Sequence, residues 1–440
     1  MKDADREDSD TDKDATGRPD APHPGEAAHE LRAGGRPLDD DGDPSWRVTL
    51  YAAWVAQLIS IMGFSFVMPF FPFYVQTLGI TNPREVPIWA GLLATAGGIS
   101  MTAFAPLWGM VADRYGRKLM VQRAMFGGAV IMALMGAVSN VHQLLVLRFI
   151  QGAVTGTVPA SIALVSSVTP KDRMGYSLGL MQMAVFTGAS VGPWVGGVLA
   201  DHFGYRVPFV VTGALLVVAG FLVLFGTHER FERPAPQQHS AAGAIRNLLR
   251  LRGVTTLLLV YFMLNLSGTI VGPVFPLFVA KLPGTAARAA SITGMVLAMG
   301  GIAAAIAAVT IGRASDRIGH RRILLASTIL AGLLTFPQAL ARTVRQLLAM
   351  RVGYGLAAGG MGPTVNSLVT TLVPRASLGS IYGLTAAASS LGAALGPSIG
   401  GVVAASAGLR APFFVMGAML LALALMIRVR VSAASRTLSS

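Results

Sequence analysis

From Arg47 onward, long apolar runs alternate with short polar breaks, and each run holds roughly twenty residues or more. A helix of that length crosses a hydrocarbon layer of about 30 Å. Twelve such spans can be drawn, at 47–78, 87–112, 118–138, 143–167, 174–200, 206–227, 253–282, 287–312, 321–341, 346–371, 377–406 and 410–430. The first, seventh and eleventh are long enough to include interfacial turns. Between 228 and 252 the apolar pattern lapses into Pro234, Pro236, Gln237, Gln238 and several arginines. The pattern therefore predicts an all-α membrane protein with a six-helix half at 46–227, a linker at 228–252 and a second six-helix half at 253–430.

The ends differ from the body. Residues 1–45 are rich in Asp, Glu, Pro, Gly and Ala, with almost no large apolar groups, so they bury too little surface to offset chain entropy. A disordered acidic tail is expected there, and a short polar tail at 431–440. No basic start followed by an apolar core precedes Trp46, so no secretory signal peptide is predicted.

Composition agrees with the membrane class, since 53% of residues are hydrophobic, 13% are charged and 51 are glycine. The pI near 10.8 invites a nucleic-acid reading, but the placement of the charges argues against one. The acidic tail carries about minus 8 and the rest about plus 22. With the N-terminus inside the cell, the inner connections carry 20 basic residues from Arg47 onward and the outer ones 7, which satisfies the positive-inside rule. Both termini and the linker are then cytoplasmic, in a multi-pass protein of the plasma membrane. Two further bases, Arg148 and Arg351, fall inside the fourth and tenth spans. There is no cysteine, hence no disulfide or thiol chemistry.

The two halves repeat each other. Pro69 and Pro72 answer to Pro273 and Pro276, Arg148 to Arg351, Pro159 to Pro363, Pro170 to Pro374 and Pro208 to Pro412, at offsets of 203 or 204 residues. The sharpest echo is a charged turn. Gly109-Met110-Val111-Ala112-Asp113-Arg114-Tyr115-Gly116-Arg117-Lys118 returns as Gly312-Arg313-Ala314-Ser315-Asp316-Arg317-Ile318-Gly319-His320-Arg321. Parallel repeats of this kind enclose a site near the bilayer midplane and rock against each other. Within the turn, Gly109 and Gly116 permit close approach and tight turning. Asp113 and Arg117 stand four apart, and pair if the turn is helical. The Asp113 carboxylate also suits the positive end of a helix.

Two more patterns carry chemistry. A cation at mid-membrane costs roughly 2.5 to 3.5 kcal/mol on insertion scales, so Arg148 must face the protein interior or a wet cavity. It is either a structural arginine held by carbonyls and Gln side chains or a group that handles charge, and Arg351 poses the same question. In the fifth span, Gly188, Gly192, Pro193, Gly196 and Gly197 form a small-residue stripe with a bend, suited to backbone-to-backbone packing. Gly392, Gly396, Pro397, Gly400 and Gly401 repeat it in the eleventh span.

The doubled Gly-x-x-x-Asp-Arg-x-Gly turn, the Arg148-to-Gly152 stretch and the Gly-x-x-x-Gly-Pro-x-x-Gly-Gly run resemble the major facilitator superfamily over about residues 47–430. The first half resembles its twelve-helix drug:proton antiporter branch. That resemblance implies a secondary transporter exporting drug-like amphiphiles, driven by a proton gradient and needing no bound cofactor. It makes Gly109, Asp113, Arg114, Gly116, Arg117 and Lys118, with Gly312, Asp316, Arg317 and Gly319, a latch against the opposite half that holds the cytoplasmic gate shut. The latch is expected to be weaker in the second copy, where His320 replaces Arg117. It links Arg148 to proton coupling, and makes the fifth-span stripe the motif of exporters.

The distribution of acids complicates this picture. After residue 45 the acids are Glu85, Asp113, Asp172, Asp201, Glu229, Glu232 and Asp316, all at span ends or in connections. With no carboxylate inside the membrane, Asp113 is the best remaining carboxylate if protons are coupled, with Arg148 tuning it or the substrate charge. Two arginines without acids disfavour organic cations and suit neutral or anionic amphiphiles. Helical spacing places Gln57, Ser60, Phe64 and Phe71 on one face of the first span, and Tyr261, Asn265 and Thr269 on one face of the seventh. With Gln151, Gln182 and Tyr354 these are the candidate cavity walls, a mostly apolar surface with a few polar groups. Export or exchange of a specific anionic metabolite, an organic phosphate or sugar acid, without proton coupling stands as the alternative. An enzyme is not expected, because no nucleophile and base converge and no metal-ligand cluster or ATP-binding loop is present. The expected partners are a small-molecule substrate and the lipid bilayer, with no nucleic acid, around a monomer.

Overall fold

The computed structural model describes residues 45–229, 253–372 and 378–431, all helices and short connections. Residues 1–44, most of the 228–252 linker, and the tail after 431 lie outside the described residues, so the expectations for them are not addressed there. In the first half α1 runs Ser45–Val67 and resumes as Phe71–Thr77 after a 3-10 turn. It is followed by α2 (Glu85–Tyr115), α3 (Arg117–Ala137), α4 (Val141–Val154, then Thr157–Val168), α5 (Met174–Phe203) and α6 (Val207–Gly226). The second half repeats the order as α7 (Val254–Ile270, then Phe275–Ala280), α8 (Ala289–Ile318), α9 (His320–Ala339), α10 (Val344–Gly359, then Met361–Leu372), α11 (Leu378–Ala407) and α12 (Ala411–Met426).

Local chemistry explains where these helices start and stop. Asn140 caps α4 by accepting from Gln143 N at 2.9 Å, and Thr343 caps α10 by accepting from Gln346 N at 3.3 Å. Pro208 and Pro412 sit at the first turn of α6 and α12, where a missing N–H costs nothing. Gly116 at φ 97° and Gly319 at φ 103° turn the chain between α2 and α3 and between α8 and α9. The Asp113–Arg117 pair expected within one helical turn is therefore not formed, because Gly116 separates the two residues into different helices. Similarly Phe71 does not continue the face of Gln57, Ser60 and Phe64. The turn around Pro69 and Pro72 interrupts α1 between them.

Among the described residues eleven helical spans are long and apolar enough to cross a membrane. The remaining expected span is α10, which folds at its expected place in two pieces that meet at Gly360, with Arg351 and a run holding Gly, Thr and Asn making it less apolar than the others.

Each half owns its core. The cluster around Phe275, Phe413, Leu324, Leu347 and Val365 draws only on the second half. The one around Phe66, Tyr74, Met132, Leu144 and Phe209 belongs to the first, and borrows Leu277, Ala289 and Ala290 from the second. The halves meet along two seams, α2 on α11 and α5 on α8, and both are closed at the end away from the charged turns. A Cβ on Gly91 would lie 2.5 Å from the Pro397 carbonyl, and one on Gly98 would lie 3.0 Å from Ala394 Cβ. Larger residues would hold the backbones apart there. At the other end, Cβ positions on Gly109, Gly175, Gly179 and Gly383 meet nothing within 4 Å. The described helices thus form a two-jawed bundle, shut at one end and open at the end bearing Asp113 and Asp316.

Candidate functional site

The charged turns are built onto their own halves. Arg117 and Lys118 open α3, whose first N–H groups have no helical partner. Glu229, just past α6, supplies one: Oε1 accepts from Arg117 N at 2.9 Å and Oε2 from Lys118 N at 2.7 Å. Lys118 Nζ in return donates to the Leu224 and Thr227 carbonyls at the end of α6, at 2.8 and 2.6 Å. Charge meets helix dipole favourably at both ends of this exchange. In the second half Arg321 donates to the Arg428 carbonyl at 2.8 Å, and His320 Nδ1 lies 3.2 Å from Ser315 Oγ. Asp113 and Asp316 are exposed, and Arg114 stacks on Tyr115 with its guanidinium carbon 5.5 Å from the ring centroid. Among the described residues the ion pair formed is Arg173 with Asp172, so neither Asp113 nor Asp316 engages a base in this open-ended state.

The two intramembrane arginines occupy equivalent niches with different partners. Arg148, 9% exposed, lies beneath Gly97 of α2; its Nε donates to the Leu93 carbonyl at 3.2 Å and Nη1 to Gln151 Oε1. Nη2 lies 3.0 Å from Met68 Sδ, and the Phe71 ring is 4.8 Å from the guanidinium carbon. Arg351 lies equivalently beneath Gly300 of α8. Its guanidinium rests between the Phe275 and Tyr354 rings, each centroid 5.1 Å away, with no hydrogen bond or ion pair among the described residues. Tyr354 stands where the first half has Gln151, so the amide acceptor is replaced by a π face. A third cation, Arg123, lies on α3 with its guanidinium carbon 3.5 Å from the Trp108 ring centroid, and Trp108 Nε1 donates to the Ala153 carbonyl at 2.6 Å.

The glycine stripe of α5 has two faces. Gly188, Gly192 and Gly196 pack on the α1 backbone at Met62, Ser65 and Phe66, inside the first half. Gly197 meets Ala290 of α8 and the Pro193 carbonyl meets Gly294, across the seam. The α11 copy does the same with Gly392, Gly396 and Gly400 on α7 and Gly401 on Pro87 of α2. One stripe thus fixes each half internally and lets it touch the other.

The expected cavity walls divide. Tyr261, Asn265 and Thr269 do share a face of α7, joined by Asn265 Nδ2 to the Tyr261 carbonyl and Thr269 Oγ1 to the Asn265 carbonyl, both 2.9 Å. The Tyr261 hydroxyl donates to Asn366 Oδ1 of α10 at 2.5 Å. Gln182 is exposed and Tyr354 half-buried. Gln57 and Ser60, by contrast, are fully buried with no hydrogen-bond partner among the described residues, Phe64 packs toward Gly128 of α3, and Phe71 and Gln151 are buried around Arg148. Sequence reasoning missed Glu229 and Phe275. Glu229 was readable as one of few acids, directly after a span and facing an uncapped helix start. Phe275 carried no signal beyond its equivalence to Phe71.

A helical bundle of two repeated halves, jawed around a membrane-depth interior, is the architecture of a membrane transporter. The chain matches the family model described as Major Facilitator Superfamily over residues 53–279 and 257–439. It is 33% identical over 381 residues to Multidrug resistance protein MdtG of Citrobacter koseri, covering 86% of this chain and 93% of that protein. To Multidrug resistance protein MdtG of Escherichia coli it is 31% identical over 386 residues, covering 88% and 95%. A crystal structure of a bacterial homolog of the human lysosomal transporter Spinster, inward-facing and occupied, superposes with TM-score 0.74 at 16% identity, covering 90% of this chain and 98% of that one. The chain belongs to the major facilitator superfamily. It is a multi-pass membrane transporter with multidrug-efflux homologues, as the sequence motifs implied.

Proposed function

We propose that the protein exports drug-like amphiphilic small molecules across the plasma membrane by alternating access, in exchange for protons. The observation that carries this is the pairing of a bundle closed at one end and open at the other with a relative named for multidrug resistance along most of its length. The positive-inside count makes the open end cytoplasmic, with both termini and the 228–252 linker on that side. The state described is then the one that loads substrate from inside. In the opposite state the Asp113 and Asp316 turns meet the other half and latch the cytoplasmic end shut. The Glu229 and Lys118 exchange supports that reading, because it ties the first turn rigidly to the half that must move.

Arg351 favours anionic or neutral substrates over cations, since among the described residues its N–H groups meet no acceptor and no acid pairs with it. The same arginine supports a second reading, exchange of an anionic metabolite without protons. Proteoliposomes under an imposed pH gradient, challenged with anionic, neutral and cationic amphiphiles, distinguish the two. Substrate-evoked proton movement is the expected result; substrate movement without protons selects the anion exchanger.

A further inference from the structure

At the closed end, among the described residues, one carboxylate reaches from one half to the other. Asp201 lies in the last turn of α5, where the helix dipole disfavours an acid. Its oxygens instead bind across the seam, Oδ2 accepting from Ser291 N at 2.8 Å and Oδ1 from Ala290 N at 3.3 Å. These N–H groups belong to the first turn of α8, which has no side-chain cap of its own and no acid nearby. Asp201 is therefore the cap of a helix in the opposite half. The equivalent position on α11 falls in alanines, Ala404 and Ala405, and the α2–α11 seam is joined by neutral groups. There Thr95 Oγ1 donates to the Ala394 carbonyl at 2.5 Å and Ser398 Oγ to Thr95 Oγ1 at 2.8 Å.

The surroundings leave this carboxylate unneutralised. The Tyr205 phenol is pushed up by burial and, secondarily, by the Asp201 charge, so it stays a neutral neighbour. Arg206 donates to the Val138 carbonyl at 3.1 Å, and His202 Nδ1 sits 2.9 Å from the Val198 carbonyl. On the facing element, Arg288 forms no ion pair with it among the described residues. Helix N–H groups are the partners that hold the charge, and opening this end must pull them away.

We propose that Asp201 is a proton-released latch on the outer gate. Ionised, it holds the outer end shut by capping α8; protonated from the outer solution, it lets that end open. This rests on the alternating-access reading and its orientation, and it gives a chain with no carboxylate inside the membrane a group through which external protons drive the cycle. The sign follows from the cap: the charged carboxylate accepts from both N–H groups at the positive end of α8, so removing its charge weakens the hold on the closed end.

The chain has no native cysteine, so spin labels at Ser139→Cys and Arg342→Cys, both in exposed loops at this end, report its opening cleanly. Asp201→Ala should raise the open fraction about five-fold at neutral pH, the factor given by losing a cap of about 1 kcal/mol. Acidification should do the same to the parent chain and leave Asp201→Asn unmoved. The amide variant keeps an acceptor and the local packing, so it also serves should the alanine variant fold poorly. An unchanged open fraction in Asp201→Ala, or an acid response that survives in Asp201→Asn, overturns the latch while leaving alternating access standing. A single closed distance in the parent chain, with and without an exported substrate, overturns both.

Discussion

Arg148 and Arg351 hold equivalent positions in the two repeated halves but meet different partners. Both lie beneath a glycine of the neighbouring helix and against a phenylalanine. Around Arg148 the fork is occupied by the Leu93 carbonyl, the Gln151 amide and the Met68 thioether. Around Arg351 the walls are π surfaces, which attract a cation without using its N–H groups. Among the described residues, Arg148 has its donors engaged and Arg351 meets rings in place of acceptors. Charge alone therefore does not make a binding group; the occupancy of its donors does.

The comparison can be broken most directly at Arg148. Replacing it with Ala removes several charge-assisted bonds, each worth about 1.5 to 3 kcal/mol, so thermal stability in detergent should fall. Transport of neutral and anionic compounds should drop together, by roughly 10-fold or more; a selective loss of anions would reverse the two roles. Arg351→Ala should do the opposite, leaving the fold and neutral substrates within about 2-fold while reducing anion transport about 10-fold, the equivalent of one bond to a charged group. Transport assays across a matched pair of neutral and anionic amphiphiles read both outcomes.

Removing a carboxylate from the first half's turn tests how far that half moves as one body. Glu229→Gln keeps the shape but removes the anion from the α3 start, costing about 1 kcal/mol of cap and dipole stabilisation. Turnover should slow more than substrate affinity changes; an unaltered ratio of the two would detach this contact from the gate. The finest test converts one niche into the other. Tyr354→Gln gives Arg351 the acceptor that Arg148 has, and the preference for anions over neutral compounds should shrink by about 3-fold, a fraction of a charged hydrogen bond.

Much of this protein was written in its sequence. The spans follow from the length of apolar runs, the halves from the 203-residue echo, and the caps at Asn140 and Thr343 from side chains that bond their own helix. These are local or periodic facts, settled by neighbours within a few turns. The glycine stripes of α5 and α11 were legible as close-packing surfaces for the same reason. Which helix each stripe faces was not, because that depends on residues hundreds of positions away. Tertiary structure alone decided that Gly116 divides Asp113 from Arg117, that Glu229 caps α3, that Gln57 and Ser60 turn inward, and that Arg148 is satisfied while Arg351 is not. It also decided that Asp201, one of the acids at span ends, caps a helix of the other half. A side chain's type fixes what bonds it can make, but only the packed halves fix which partners come within 3 Å.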